Sequence, residues 1–489
     1  MYFQISSISK LDDCLPDIIE ESLGFKDSDR DDAMNTIRNF ISGFIPDIMI
    51  GIESTYIDKL YRDAYYNYYS SKLSEYKRDC IRLSFFAGEI TLDDFFSDKG
   101  IIKLESLFRG FVVIRPTVNN VIGRNVLHPS IFKKKLEYKV SVANFSACIY
   151  GIKLTVEGFP HSSQDAEFMV CAETTIWSAM EYFSTRYPEY RPILPRKIHS
   201  ILANTTMERQ IPSNGLNGLQ MSFALKELGF GAKIYYASQD DEFRYNQLLD
   251  FIKIYVESGI PLMALMTNNT GIAHVVNIVG RTDFVSPILT IPITTLKNGG
   301  QVFNFYSREA KYLLIDDNHH PYMEVPLEDP ACNYVKPEWK DCKIIGAVVP
   351  LHKKIYMEVL RARELALTSL NTFDSLIKLP TLCLRLLLSS TRTFKHSVAH
   401  NPDLTQDYKT LLLGLNMSKF VWIAEVGTPE SFAAGKATGM LLMDATEPKK
   451  NQILAYLLEN TYIGKIGGEI KVLSLPLQPF KMHHNLKPF

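Results

Sequence analysis

An α+β fold is predicted for this chain, and three observations predict it. Between about residues 164 and 345, short β-branched and aromatic runs bounded by Gly, Pro and Asn alternate with apolar runs of helical period. The segment before residue 103 reads as helical, and segments rich in strand signals flank the middle of the chain. At 489 residues the chain exceeds what one core usually holds. The expected units are a helical N-terminal region over 1–102, a β-rich segment over 103–163, a central unit over 164–348 and an α+β region over 349–489. The second and fourth are expected to share a sheet, because neither has enough strands to cover its own faces.

In the first region Ile37, Phe40, Ile41 and Phe44 recur at helical spacing before Pro46, and Tyr56, Leu60, Ala64 and Tyr68 continue the pattern. The Tyr65-Tyr66-Asn67-Tyr68-Tyr69 patch reads as packing with hydroxyls at the rim. Strands are expected at Phe111-Val-Val-Ile, Tyr138-Lys-Val-Ser-Val and Ile152-Lys-Leu-Thr-Val, with Ile122-Gly-Arg-Asn as a loop. A helix begins near Cys171 and carries Ile176, Met180 and Phe183 on one face. The turn Ser213–Gly218 precedes a helix that stops at Gly229-Phe-Gly231, which reads as a C-cap because the third glycine of a dinucleotide loop is missing. A strand at 232–236 and a helix at 248–256 follow. Thr267-Asn-Asn-Thr-Gly271 then joins the apolar runs 261–266 and 272–279 as an antiparallel hairpin, and Tyr312–Asn318 forms a strand with a polar end. Beyond residue 350 the pattern predicts a helix at 358–370, strands at 384–388, 420–425 and 440–443, and a helix start at Thr428-Pro429.

Composition narrows the function. A hydrophobic fraction of 46% and a charged fraction of 22% are those of an ordinary globular protein. With 53 basic and 54 acidic side chains there is no global pull toward nucleic acid or an anionic membrane, and Lys133-Lys134-Lys135 is too short to be more than a solvated face. Seven cysteines, odd in number and without metal spacing, suit a reducing compartment. The first residues lack a basic, then apolar leader, and no run approaches the ~18–20 residues that span a bilayer. A cytoplasmic protein without membrane or nucleic-acid partners is therefore expected; the oligomeric state is not readable.

Chemistry concentrates around Cys171. A thiol at a helix N-terminus meets unpaired N–H groups and the positive end of the helix dipole, which favour the thiolate. A nucleophilic cysteine also needs a base and a third group that orients the base. Downstream come His274, at the start of a strand, and Asp316 and Asp317, at the end of another; Gln164 lies upstream as an oxyanion donor.

The order Gln, Cys at a helix start, His in a strand and Asp at the end of the next resembles the papain-like cysteine peptidases, and most of all their bacteriocin-processing relatives. Asn214-Gly-Leu-Asn-Gly, Ala224-Leu-Lys-Glu-Leu-Gly229, Ala232-Lys-Ile-Tyr-Tyr236, Gly259-Ile-Pro261-Leu, His274-Val-Val-Asn-Ile-Val-Gly280 and Leu313-Leu-Ile-Asp-Asp317 carry the likeness, over about residues 164–325. Three departures stand out: the segment between His274 and Asp317 is longer than the family's hairpin, two aspartates are adjacent, and Gln164 is one residue further from Cys171 than in papain. The resemblance implies a papain-like central domain and cleavage of a peptide or isopeptide bond in a protein or peptide substrate. It also implies the roles: His274 draws the proton from Cys171, Asp317 holds the imidazole with Asp316 as the alternative, and Gln164 with the Cys171 backbone N–H binds the oxyanion. Deamidation or transglutaminase-type transfer would use the same residues, and a non-catalytic interaction protein would keep the same scaffold. No cofactor is expected. No metal is expected either: Asp316-Asp317-Asn318-His319-His320 holds carboxylates and imidazoles but no spaced third ligand.

Overall fold

Successive side chains on a strand point to opposite faces, and in the hairpin Leu262–Thr267 and Ala273–Thr282 both faces are covered. Met263, Val275 and Val279 enter one hydrophobic core, whereas Leu262, Ala264, Val276 and Ile278 enter a second. This central sheet therefore lies between two cores, which is why its strands read as continuous apolar runs. It runs 323–325, 312–315, 273–282, 262–267, 343–349, 233–236, antiparallel throughout, and Tyr138–Val140 pairs with the far end of the His274 strand. The computed structural model describes residues 2–489 except 135, 206–210, 214, 239, 288–291, 375–379, 451 and 467–468. Lys135 of the lysine run and Asn214 of the turn before the second central helix lie outside the described residues.

The first core belongs to a seven-stranded antiparallel sheet in the order 3–7, 48–56, 80–87, 108–114, 122–127, 152–161, 143–149. Residues 1–102 are thus not a helical region. Helices Leu11–Leu23 and Asp27–Ile41 are present, but Phe3–Ser7, Ile48–Tyr56 and Cys80–Ala87 are strands. The strand Cys80–Ala87 is buried at seven consecutive positions, and Ile81, Leu83 and Phe85 alternate in it with Arg82 and Ser84, a strand period that the helical expectation passed over. The Tyr56–Tyr68 run divides into the end of a strand and the helix Lys59–Asn67, which Asp58 caps by accepting from the Tyr61 N–H. Ile122–Leu127 is a strand, not a loop. In the first long helix Leu11, Leu15, Ile18, Ile19 and Leu23 form the buried stripe, and Gly24 at φ 77° ends it.

The third sheet runs 292–295, 301–304, 381–390, 420–427, 439–444, 453–458, 461–466, 469–474. The strands of 103–163 therefore pair mainly with the N-terminal strands, not with the C-terminal region. Among the described residues, the strand pairing between them is Lys487–Pro488 against Lys139–Val140. The second core joins the third sheet to the central sheet. A buried chain of charges crosses that junction: Glu257 accepts from Arg281 at 2.8 Å and from Arg385 at 2.6 Å, and Arg385 also donates to Glu425 at 2.5 Å. The result is a mixed α/β protein in which no helix of the described residues is long and apolar enough to cross a membrane.

Candidate functional site

Cys171 opens the helix Cys171–Arg186, as the sequence predicts, and two devices hold that start in place. The Asp165 carboxylate, buried, accepts from the backbone N–H of Glu167, Phe168 and Met169 at 3.0, 2.8 and 2.8 Å, folding the approach into a tight turn. The Arg115 guanidinium donates to the carbonyls of Ser163 and Gln164, both at 2.8 Å. Behind Cys171 the helix lies against the His274 strand: Thr175 Oγ1 donates to the Val275 carbonyl at 3.2 Å, and Asn277 Nδ2 donates to the Thr175 carbonyl at 2.9 Å. These two contacts, both made by Thr175, fix the helix start beside the strand start, and that sets Cys171 against His274.

The Cys171 side chain, half-buried, interacts with the imidazole of His274, which is 6% exposed. His274 Nε2 lies 3.0 Å from Asp316 Oδ1 and 3.6 Å from Asp317 Oδ1, so Nδ1 is the nitrogen left for the thiol. The preference for Asp317 as the orienting residue is thereby reversed, since Asp316 makes the hydrogen bond. Burial opposes charge on His274, yet the Asp316 carboxylate, the contact with Cys171 and the nearby Asp317 together raise its pKa well above the ordinary value. Asp316 is pushed up by burial, but the His274 charge and the Asn318 N–H outweigh this and hold it below the usual carboxylate range. Asp317 differs: burial lifts it to about 7, His274 opposes the rise and Asp316 reinforces it. Neither Asp317 oxygen has a hydrogen-bond partner.

Several residues of the site give no signal in the sequence pattern. Tyr334, in the loop after strand Met323–Val325, donates to Asp316 Oδ2 at 2.7 Å and accepts from Asn318 Nδ2 at 3.1 Å. Trp339 stacks on Tyr334 at 3.8 Å and presents an edge to the His274 ring at 5.2 Å. Gln164 Nε2 donates to Asn318 Oδ1 at 2.8 Å, which ties it into the same network and leaves its second amide hydrogen free of that bond. His161 fixes the backbone of the aspartate pair: its Nδ1 accepts from Asn125 Nδ2 at 2.8 Å, so Nε2 carries the proton donated to the Asp316 carbonyl at 2.9 Å. Burial lowers the His161 pKa to about 4, which keeps that ring neutral. A cavity of about 680 Å³, lined by Phe183, Tyr187, Tyr190, His352 and Phe420 among others, sits at the opposite end of the Cys171 helix. It is not part of the thiol site.

The site thus places a thiol, an imidazole and an ordered carboxylate in sequence. Gln164 reaches the group through Asn318, and His319 and His320 do not join it. His320 Nδ1 faces the Pro321 carbonyl at 2.9 Å, and His319 packs on Tyr334 at 4.5 Å. No family model matches this chain, and no curated protein matches it significantly in sequence.

Proposed function

We propose that this protein is a thiol-dependent acyl-transfer enzyme built on a papain-like centre, and that its simplest reaction is hydrolysis of a peptide or isopeptide bond. One observation supports this above the rest: Cys171 at a helix start interacts with an imidazole whose other nitrogen is held by a buried carboxylate. In this reading His274 takes the thiol proton as the sulfur attacks the acyl carbon. Asp316 stabilises the imidazolium. His274 then returns the proton to the departing amine, and water in turn gives a proton to His274 and releases the acid, regenerating the thiol. In the same reading Gln164 and the Cys171 backbone N–H donate to the developing oxyanion, where such a donor is worth about 3 kcal/mol in the transition state. The seven cysteines are all unpaired, which agrees with a reducing compartment such as the cytoplasm.

The test is selective alkylation. At mildly acidic pH iodoacetamide is expected to label Cys171 well ahead of the other six cysteines, and His274→Ala is expected to remove that advantage. Equal labelling of all accessible thiols would leave a binding module on the same scaffold as the better account. Peptides, isopeptide-linked substrates and glutamine side chains presented to labelled protein separate peptidase from deamidase or transferase.

A further inference from the structure

Asp317 is the group that the thiol chemistry does not use. Its side chain is 3% exposed and both carboxylate oxygens lack a hydrogen-bond partner, although leaving a buried carboxylate unpaired is costly. It is aimed at the same ring nitrogen that Asp316 holds. One donor atom each from His274, Asp316 and Asp317 lie within 4.8 Å of one another, and the two measured edges from Nε2 are 3.0 and 3.6 Å. Ligands placed at about 2.0–2.2 Å around a single ion are separated by roughly 3.0–3.5 Å, so the first edge falls within a coordination shell and the second lies just outside it. An imidazole nitrogen with two carboxylate oxygens suits a first-row divalent ion such as Zn²⁺ better than Mg²⁺, which keeps its waters and prefers oxygen alone.

We infer that His274, Asp316 and Asp317 form a site for a divalent transition-metal ion, Zn²⁺ in the first instance, and that the ion occupies the position the Nε2 proton otherwise holds. On binding, the single proton of the neutral ring moves from Nε2 to Nδ1 and the ion takes its place between the ring and the two carboxylates. With that proton on Nδ1, facing Cys171, and Nε2 bound to the ion, the imidazole has no lone pair to accept the thiol proton. This consequence rests on the proposed thiol chemistry; the ion site itself does not. The bound ion acts as an inhibitor, switching the thiol off while it stays.

The full-length chain, stripped with a chelator and titrated with Zn²⁺ alone by calorimetry, tests this. One tight equivalent is expected, with Mg²⁺ giving none, and both Asp317→Asn and His274→Ala are expected to weaken that equivalent by at least about tenfold. No tight equivalent in the wild-type chain, or unchanged affinity in both variants, overturns the site. Should the variants not fold, imidazole NMR of the wild-type chain decides. The first equivalent must shift the His274 ring signals before those of His319 and His320, and a shift confined to other histidines overturns the assignment. Alkylation of the metal-free protein reads the thiol chemistry separately, so the two ideas fail independently.

Discussion

At the scale of single residues, two adjacent carboxylates in one buried corner adopt opposite behaviour because only one of them is paired. Asp316 has the His274 ring, the Asn318 N–H and the Tyr334 hydroxyl, whereas Asp317 has no hydrogen bond to its oxygens. Asp316→Asn is expected to lower the His274 pKa, read from imidazole NMR, because it removes the main group favouring the charged ring. Asp317 carries a linkage of opposite origin. Its native pKa is raised to about 7 from 3.8, so between those values the folded chain binds a proton that the unfolded chain has released. Its contribution to stability therefore falls as pH rises through that window. Asp317→Asn in metal-free protein is expected to flatten this fall, measured by chemical denaturation at pH 5 and pH 8.

The choice between the two aspartates was not legible in the sequence, because the strand ends at Ile315 and its alternation no longer dictates direction. Cys171, His274 and the hairpin between 262 and 282 were legible, since turn residues and apolar period mark each of them. Tyr334 and Trp339 were not, because loop residues that act through long-range contacts leave no periodic trace.

At the scale of elements, the turn before the Cys171 helix decides where the thiol sits. Asp165 satisfies three backbone N–H groups at once, and Ala166 takes a left-handed conformation at φ 63° within the same turn. Asp165→Ala is expected to cost about 1–3 kcal/mol in thermal or denaturant unfolding, as buried donors lose their acceptor. It is also expected to slow Cys171 alkylation. A stable variant with unchanged alkylation would mean that the helix start is held by Arg115 and the strand contacts alone. The N-terminal strands teach the converse lesson about reading: Cys80–Ala87 alternates Ile81, Leu83 and Phe85 with Arg82 and Ser84, yet both its faces are buried, with the Arg82 guanidinium held by Glu53. Alternation marks the strand there without saying which face meets solvent.

At the scale of the whole molecule, the central sheet gives one face to each core, so neither core closes without it. The segment 164–348 expressed alone would expose both faces. It is expected to be insoluble or readily digested in limited proteolysis, although its boundaries looked like those of a domain. The Arg281, Glu257, Arg385, Glu425 chain ties the same sheet to the third. Burial works against Glu257, but the two arginines hold its pKa far below the ordinary 4.5. Its stabilisation is therefore complete above about pH 4.5 and is lost as pH falls below that value. Glu257→Gln leaves two buried guanidinium groups with one partner fewer, and a loss of about 3–5 kcal/mol in denaturant titration is expected at neutral pH.

The segment from Phe480 to Phe489 reaches all of these parts. Phe480–Lys481 pairs with Lys436–Ala437, the His483 carbonyl accepts from Arg385 at 2.7 Å, Asn485 donates to the Leu388 carbonyl at 2.9 Å, and Phe489 exchanges backbone hydrogen bonds with Tyr138. A ribosome delivers these residues after the three sheets they join. Until they emerge, Arg385 lacks one of its acceptors and the strand at Tyr138–Val140 lacks its outer neighbour. The contacts by which this segment ties the central sheet to the third therefore form only after every strand of both is available.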